Sequence, residues 1–199
     1  VNHSFSDFAV EGKNIRFGLL AIKNMGRSVS ERIFEEREEN GLYTSFSDFA
    51  RRIVKYPEFN RRAMESLIKC GAFDELEKNR NRLLKGYSYI LDICEAQHKQ
   101  SMQGQIGFFD EQNAQEEYEL PYSEEFSDEQ KYEYEKEITG LYLSGHPLNA
   151  YNYVYEDGRL TALDQIESES EYKGGENLDG KKIVVLGILD AFKAKTTKQ

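Results

Sequence analysis

Apolar residues recur at helical spacing through the first hundred residues, and Gly, Asn or Pro separates each stretch from the next. Apolar positions repeated every three or four residues line one face of an α-helix, and the intervening residues stop it. This pattern restricts the chain to short helices joined by tight turns. It predicts five helices. Four span 15–23, 27–40, 47–53 and 81–100, and a further one, before the last of these, is capped by Asn60 and closed by Gly71.

The second hundred residues are less regular. Helical spacing returns at 128–143 and for one turn at 161–166, whereas the β-branched run Lys182–Leu189 predicts a strand that 192–199 would pair with. The fold is therefore expected to be mainly α, with a truncated strand pair at the end. We divide the chain into a helical module, a flexible loop, a helical segment, a linker and the strand pair, at 1–100, 101–127, 128–166, 167–180 and 181–199.

Charge is distributed unevenly along the chain. The 26 Lys and Arg against 36 Asp and Glu give a net charge of −10, but residues 1–99 hold 17 basic and 15 acidic residues and residues 100–199 hold 9 and 21. The two parts therefore carry +2 and −12, and they need not face the same partner. Overall acidity thus does not exclude a nucleic acid as the partner of the first half.

Composition excludes several classes of protein. No apolar run reaches the roughly 18–20 residues that a membrane span needs. Cys70 and Cys94 are too few for a disulfide framework, so we expect two buried reduced thiols and a cytoplasmic location. Neither a CxxC motif nor a pair of His residues at ligand spacing is present, so no metal site is predicted. The chain starts at Val1 rather than Met, and we expect it to be a piece of a longer protein.

The turn between the first two predicted helices carries a possible chemical function. Gly and Asn adopt the left-handed backbone that such a turn needs, and the N–H groups that open the next helix attract a phosphate. Basic and hydroxyl side chains flank the same turn. We predict that it binds the nucleic-acid backbone through Lys23, Asn24, Met25, Gly26, Arg27 and Ser28. The alternative is an ordinary pair of packed helices.

A second helix–Gly–helix unit follows, from Asn60 to about Leu84 around Cys70 and Gly71. A duplicated hairpin is a more specific pattern than a single one. Lys69 and Gly71 therefore join the predicted backbone-binding residues. Basic side chains on helices are nevertheless most often only solvated.

The motifs together resemble those of the bacterial replicative DNA polymerase III alpha subunit. The stretches Ile15–Gly26 and Leu67–Asp74 match it in order and spacing, and the most specific match is Gly140-Leu141-Tyr142-Leu143-Ser144-Gly145-His146-Pro147-Leu148. The resemblance implies a segment that runs from the end of the fingers, through a tandem helix-hairpin-helix module that binds duplex DNA, to the start of an OB-fold. Asn24 stands where many members have Gly, and Asn tolerates the same backbone region.

Two adjacent aromatic residues interrupt the polar stretch after residue 100. The cluster is Gln105, Ile106, Gly107, Phe108 and Phe109. The two Phe side chains either pin the loop onto neighbouring helices or enter an apolar pocket on a partner, with the Gln amide fixing orientation. The family resemblance implies that this motif binds the sliding clamp, and that other replicative polymerase subunits are further partners.

No stretch matches the catalytic Asp residues that hold two Mg²⁺ ions in this family, so we assign no catalytic residue and no cofactor here; Mg²⁺ belongs to the parent polymerase. Two functions remain: DNA and clamp binding in support of processive synthesis, or a structural helical adaptor without DNA contact. The directions of five basic side chains discriminate between them. DNA binding predicts that they converge beside the turns, whereas the adaptor predicts that they pair with nearby Glu residues. The five are Lys23, Arg27, Arg61, Arg62 and Lys69.

Overall fold

A computed structural model describes residues 1–102, 117–156, 158–161, 180, 182–189 and 192–194. The described elements are mainly helical, as predicted. In chain order they are β1 (Ala9–Glu11), β2 (Asn14–Arg16), a 3-10 turn (Leu19–Ala21), α1 (Arg27–Asn40), α2 (Phe46–Ile53), α3 (Arg61–Lys69), α4 (Arg80–Met102), α5 (Asp128–Thr139), a second 3-10 turn (Pro147–Tyr151) and α6 (Asn152–Glu156). None of the described helices is long and apolar enough to cross a membrane.

The chain divides into two compact units, Val1–Ser144 and Gly145–Gln199. The first unit contains β1 to α5. The second contains the 3-10 turn Pro147–Tyr151 and α6, and the Thr161 N–H donates to the Val184 carbonyl within it at 2.8 Å.

Local capping explains where three of the helices begin. Ser45 accepts a hydrogen bond from the Asp48 N–H, Asn60 accepts one from Ala63, and Ser127 forms a capping box with Gln130. Each cap satisfies an N–H group that the helix itself cannot, which stabilises it by about 0.5–2 kcal/mol. The predicted cap of α3, Asn60, is therefore confirmed.

The core of the first unit lies where α2 and α3 pack on α4. Phe49 and Phe73 meet edge to face with their ring centroids 4.8 Å apart, and both are almost wholly buried. Ile33 of α1, Leu67 of α3 and Leu83 of α4 are fully buried beside them. Most of the apolar positions that predicted the helices between residues 27 and 100 thus contribute to this core.

A buried ion pair fastens α5 to the start of α4. Arg80 donates to Glu135 at 2.8 Å and to Asp74 at 2.6 Å, and both Arg80 and Glu135 are buried. Glu135 also accepts the N–H groups of Leu143 and Ser144 at 2.8 and 2.9 Å. A buried charge needs this degree of pairing to be stable, so the residues after α5 are held in one position.

The predicted helix at residues 15–23 is wrong. Asn14–Arg16 forms β2, which pairs antiparallel with β1, and only Leu19–Ala21 is helical, as one 3-10 turn. The N-terminal segment takes the hydrogen bonds that a helix would have used: the N–H groups of Leu19 and Leu20 donate to the carbonyls of Phe5 and Ser6 at 2.9 and 3.0 Å.

Gly18 makes this close approach possible. A Cβ atom there would lie 2.6 Å from the backbone of Asp7. The apolar residues of 15–23 therefore lie against the N-terminal segment of the chain and do not form one face of a helix.

The predicted strand at Lys182–Leu189 is not observed. These eight residues do not form a strand. A strand needs a paired strand beside it, and the described part of the chain provides none. The helix predicted over 128–143 ends earlier, at Thr139, because Gly140 adopts a left-handed backbone with φ 78°. Most of 161–166, 167–180 and 192–199 lies outside the described residues, and the predicted domain boundaries stay predictions.

Candidate nucleic-acid interface

The first turn, Ile22–Gly26, is pinned to two other helices. The Lys23 N–H donates to the carbonyl of Ile138 in α5 at 2.9 Å. Asn24 is left-handed with φ 64°, as predicted for this turn, and its amide donates to the Ser66 hydroxyl of α3 at 2.9 Å. Met25 is buried. Four of the predicted site residues, Lys23 to Gly26, therefore lie in a turn whose backbone position is set by α3 and α5.

The N-terminus of α1 differs from that of the other long helices. Gly26 has an extended backbone with φ −83° and ψ 160°, no side chain caps the helix, and its first turn contains no acidic residue. Arg27 and Ser28 are exposed on that first turn. The N–H groups and the positive end of the helix dipole are therefore accessible to an external anion.

The charges around the first turn are only weakly compensated. Arg27 lies 3.8 Å from Asp7 and 3.7 Å from Glu31, and all three side chains are half or more exposed. Such surface pairs contribute about 0–1 kcal/mol and exchange readily with other anions. Lys23 is exposed, and no carboxylate among the residues with described positions is within ion-pair distance of it.

The second turn, around Cys70 and Gly71, has its charged side chains paired with other groups of the chain. Gly71 has φ 77°, and the Arg80 guanidinium lies directly over it, so even a Cβ atom would collide with that group. Lys69 pairs with Glu65 at 2.9 Å, and its ammonium lies 5.0 Å from the centre of the Tyr134 ring. Burial opposes the charge of Lys69, but its carboxylate neighbours outweigh that effect and raise its pKa.

A carboxylate of the chain itself occupies the N-terminus of α4. Glu125 accepts the N–H groups of Arg80 and Asn81 at 3.0 and 3.2 Å, and Asn79 accepts the N–H of Arg82 at 2.9 Å. Burial of Glu125 raises its pKa, but these N–H groups lower it further than burial raises it. The place where a phosphate would bind this helix is therefore filled.

The five basic side chains do not behave alike. Arg27 and Lys69 pair with Glu31 and Glu65, as the adaptor alternative predicts. Arg61 donates to the Ser88 hydroxyl at 2.6 Å and pairs with two carboxylates of α4, those of Asp92 and Glu95. Lys23 and Arg62 are exposed and have no ion-pair partner within the described ranges.

Sequence reasoning missed two contacts that define the site. One is the hydrogen bond between Asn24 and Ser66, and the other is the capping of α4 by Glu125. Each joins residues more than 40 positions apart, and no local pattern signals such a pair. The predicted clamp motif, Gln105–Phe109, lies outside the described residues. Where positions are described, no three His, Cys, Asp or Glu side chains come close enough together to hold a metal ion.

Comparison with known proteins locates these features in a family. A helix-hairpin-helix motif model matches residues 1–83. The DNA polymerase III subunit alpha of Borreliella burgdorferi is 33% identical over 206 residues, that of Deinococcus radiodurans 36% over 204, and that of Thermus aquaticus 36% over 199. Each comparison covers 100% of this chain but only 15–17% of the relative.

Proposed function

Because this chain belongs to the DNA polymerase III alpha subunit family, we propose that it binds the backbone of duplex DNA through its first turn. The observation that carries the proposal is the uncapped N-terminus of α1, flanked by exposed Lys23 and Arg27. A phosphate there accepts N–H groups of the first helical turn, with Ser28 in reach as a hydroxyl donor.

Such a contact reads no bases. It involves only phosphate oxygens, the helix dipole and two cations, so the binding is independent of sequence and weakens steeply with salt. The bonds from the turn to Ser66 and Ile138 matter because they hold the N–H groups in place before DNA arrives. Lys69 and Gly71 stay predictions of the sequence.

The full-length relatives are DNA polymerase III alpha subunits, and the proposal extends to that context. We propose that the chain supports a DNA-directed DNA polymerase whose catalytic carboxylates and Mg²⁺ ions lie in other parts of the protein, and that this protein acts in the cytoplasm. Gln105–Phe109 would bind the sliding clamp and so keep the polymerase on DNA. Other replicative polymerase subunits are further proposed partners.

The adaptor alternative also has an observation in its favour. Arg61 and Lys69 are neutralised by carboxylates of the chain itself, which is what packing helices without a DNA contact would need. The alternative predicts that no exposed cation matters for DNA affinity.

Fluorescence anisotropy with a labelled duplex separates the two functions. We expect K23A and R27A each to weaken binding by about three- to tenfold and to reduce the slope of log affinity against log salt by about one. K99A, which removes an exposed charge at the far end of α4, is the matched control and should change affinity by less than about twofold. Absence of duplex binding, or binding that neither K23A nor R27A weakens, would favour the adaptor.

A further inference from the structure

The two hairpin units differ in the cations and N–H donors that they leave available to a phosphate. We infer that the DNA-binding surface is one-sided: it consists of the first turn together with Arg62 of α3, and the second turn takes no phosphate. This inference rests on the proposed function and specifies which residues perform it. It also replaces the sequence prediction for Lys69 and Gly71.

Backbone N–H groups at the second turn and at the start of α4 are already bonded within the chain. The Ala72 N–H donates to the Leu67 carbonyl at 2.9 Å, and the Asp74 N–H donates to Gly71 at 3.2 Å. The first two N–H groups of α4 are bound by Glu125. A phosphate would have to displace a carboxylate held by three N–H groups, the third being that of Phe126.

Three carboxylates follow the second turn. Asp74, Glu75 and Glu77 come directly after it, and Glu75 is the most exposed of the three. Arg80 does not reverse this charge, because it is 4% exposed and is shared between Asp74 and Glu135. Lys78 is exposed beside this turn, but Lys69, Arg80 and Arg82 are each paired with carboxylates of the chain, so most of the cations there are already neutralised.

Arg62 is placed to extend the first turn instead. The hydrogen bond between Asn24 and Ser66 brings the first turn against α3. Arg62 precedes Ser66 by four residues, so it lies on the same side of α3, one turn away at a rise of about 6 Å. Ser66 is buried beneath the first turn, whereas Arg62 is exposed and pairs with no carboxylate whose position is described.

In the inferred surface, Arg62 lies one turn of α3 away from Ser66, the residue that holds Asn24. Lys23 and Arg27 hold one phosphate at the N-terminus of α1, and Arg62 reaches an adjacent phosphate across Asn24. The second unit then serves mainly to position the first, because its α3 provides both Ser66 and Arg62.

The test is the duplex anisotropy titration of the whole chain over a salt series, with helical content checked by circular dichroism for each variant. We expect R62A to weaken binding by about three- to tenfold and to lower the salt slope by about one, as K23A does, and R62K to restore most of the loss. K69A and K78A, which remove cations beside the second turn, should stay within about twofold of the unchanged chain. E75Q should not raise affinity.

The possible failures are distinguishable. If K23A and R27A weaken binding but R62A does not, or if K69A weakens it as much as K23A, the inference is overturned and the proposed function stands. A gain in affinity for E75Q with a steeper salt slope would place DNA on the second turn and would also overturn it. If the unchanged chain shows no salt-dependent binding, the proposed function fails, and the inference with it.

Discussion

Asn24 combines a strained backbone with a tertiary hydrogen bond, and substitution can separate the two. Alanine in the left-handed region costs about 1–2 kcal/mol. Loss of the bond to Ser66 costs about 1 kcal/mol more, so N24A should lower the free energy of unfolding by about 2–3 kcal/mol. N24G loses the same bond but adopts φ 64° without strain, so its loss should be about 1 kcal/mol or less.

Urea unfolding followed by circular dichroism measures these free energies directly. S66A is the matched control, because it removes the bond and leaves the backbone of Asn24 unchanged. The same proteins should rank in DNA affinity as in stability, with N24A weakest, because a displaced turn no longer presents the α1 N–H groups. Equal stability of N24A and N24G would show that the turn is not held in the left-handed conformation, and the account of the site would be wrong.

Three further results are expected. Burial opposes the charge of Glu135, but the Ser144 N–H and Arg80 together lower its pKa, so the ionised side chain stabilises the fold at neutral pH. This stabilisation is lost as the pH falls below the ordinary value of 4.5, so the unfolding free energy of E135Q should depend less on pH in that range, and an unchanged acid profile would contradict this. D7N should tighten duplex binding by about two- to threefold in anisotropy, because it removes a carboxylate that competes for Arg27, and weaker binding would refute the contact. Calorimetry should show micromolar-range clamp binding that is lost, with helical content retained, in the variant with alanine at Gln105, Phe108 and Phe109; loss of helical content would instead show that the aromatics are core.

Most of the helical framework could be read from local patterns. Asn60 was identifiable as a cap, Gly71 as a stop, and the apolar stripe of α4 as a core face. These signals act within a few residues, because a cap or a stop satisfies or breaks hydrogen bonds of its own helix. The left-handed backbone of Asn24 was predictable for the same reason.

The failures of prediction have a common physical cause. Residues 15–23 have helical spacing, yet segment 5–8 supplies other hydrogen-bond partners for Leu19 and Leu20. The run Lys182–Leu189 has strand composition, but composition does not provide a paired strand. In both cases the outcome depends on a backbone hydrogen-bond partner that the local sequence does not specify.

The sequence by itself determined α1 to α5, the family, and the succession of two Gly-containing turns that each lead into a helix. Only the tertiary structure decided that the units are not equivalent. Glu125 reaches the N-terminus of α4 across 45 residues, whereas the N-terminus of α1 has no side-chain cap. The two turns have similar sequence patterns because such patterns report the local backbone conformation, which both turns share. They differ in charge and in free donors because those depend on which distant side chains the fold brings to each helix end.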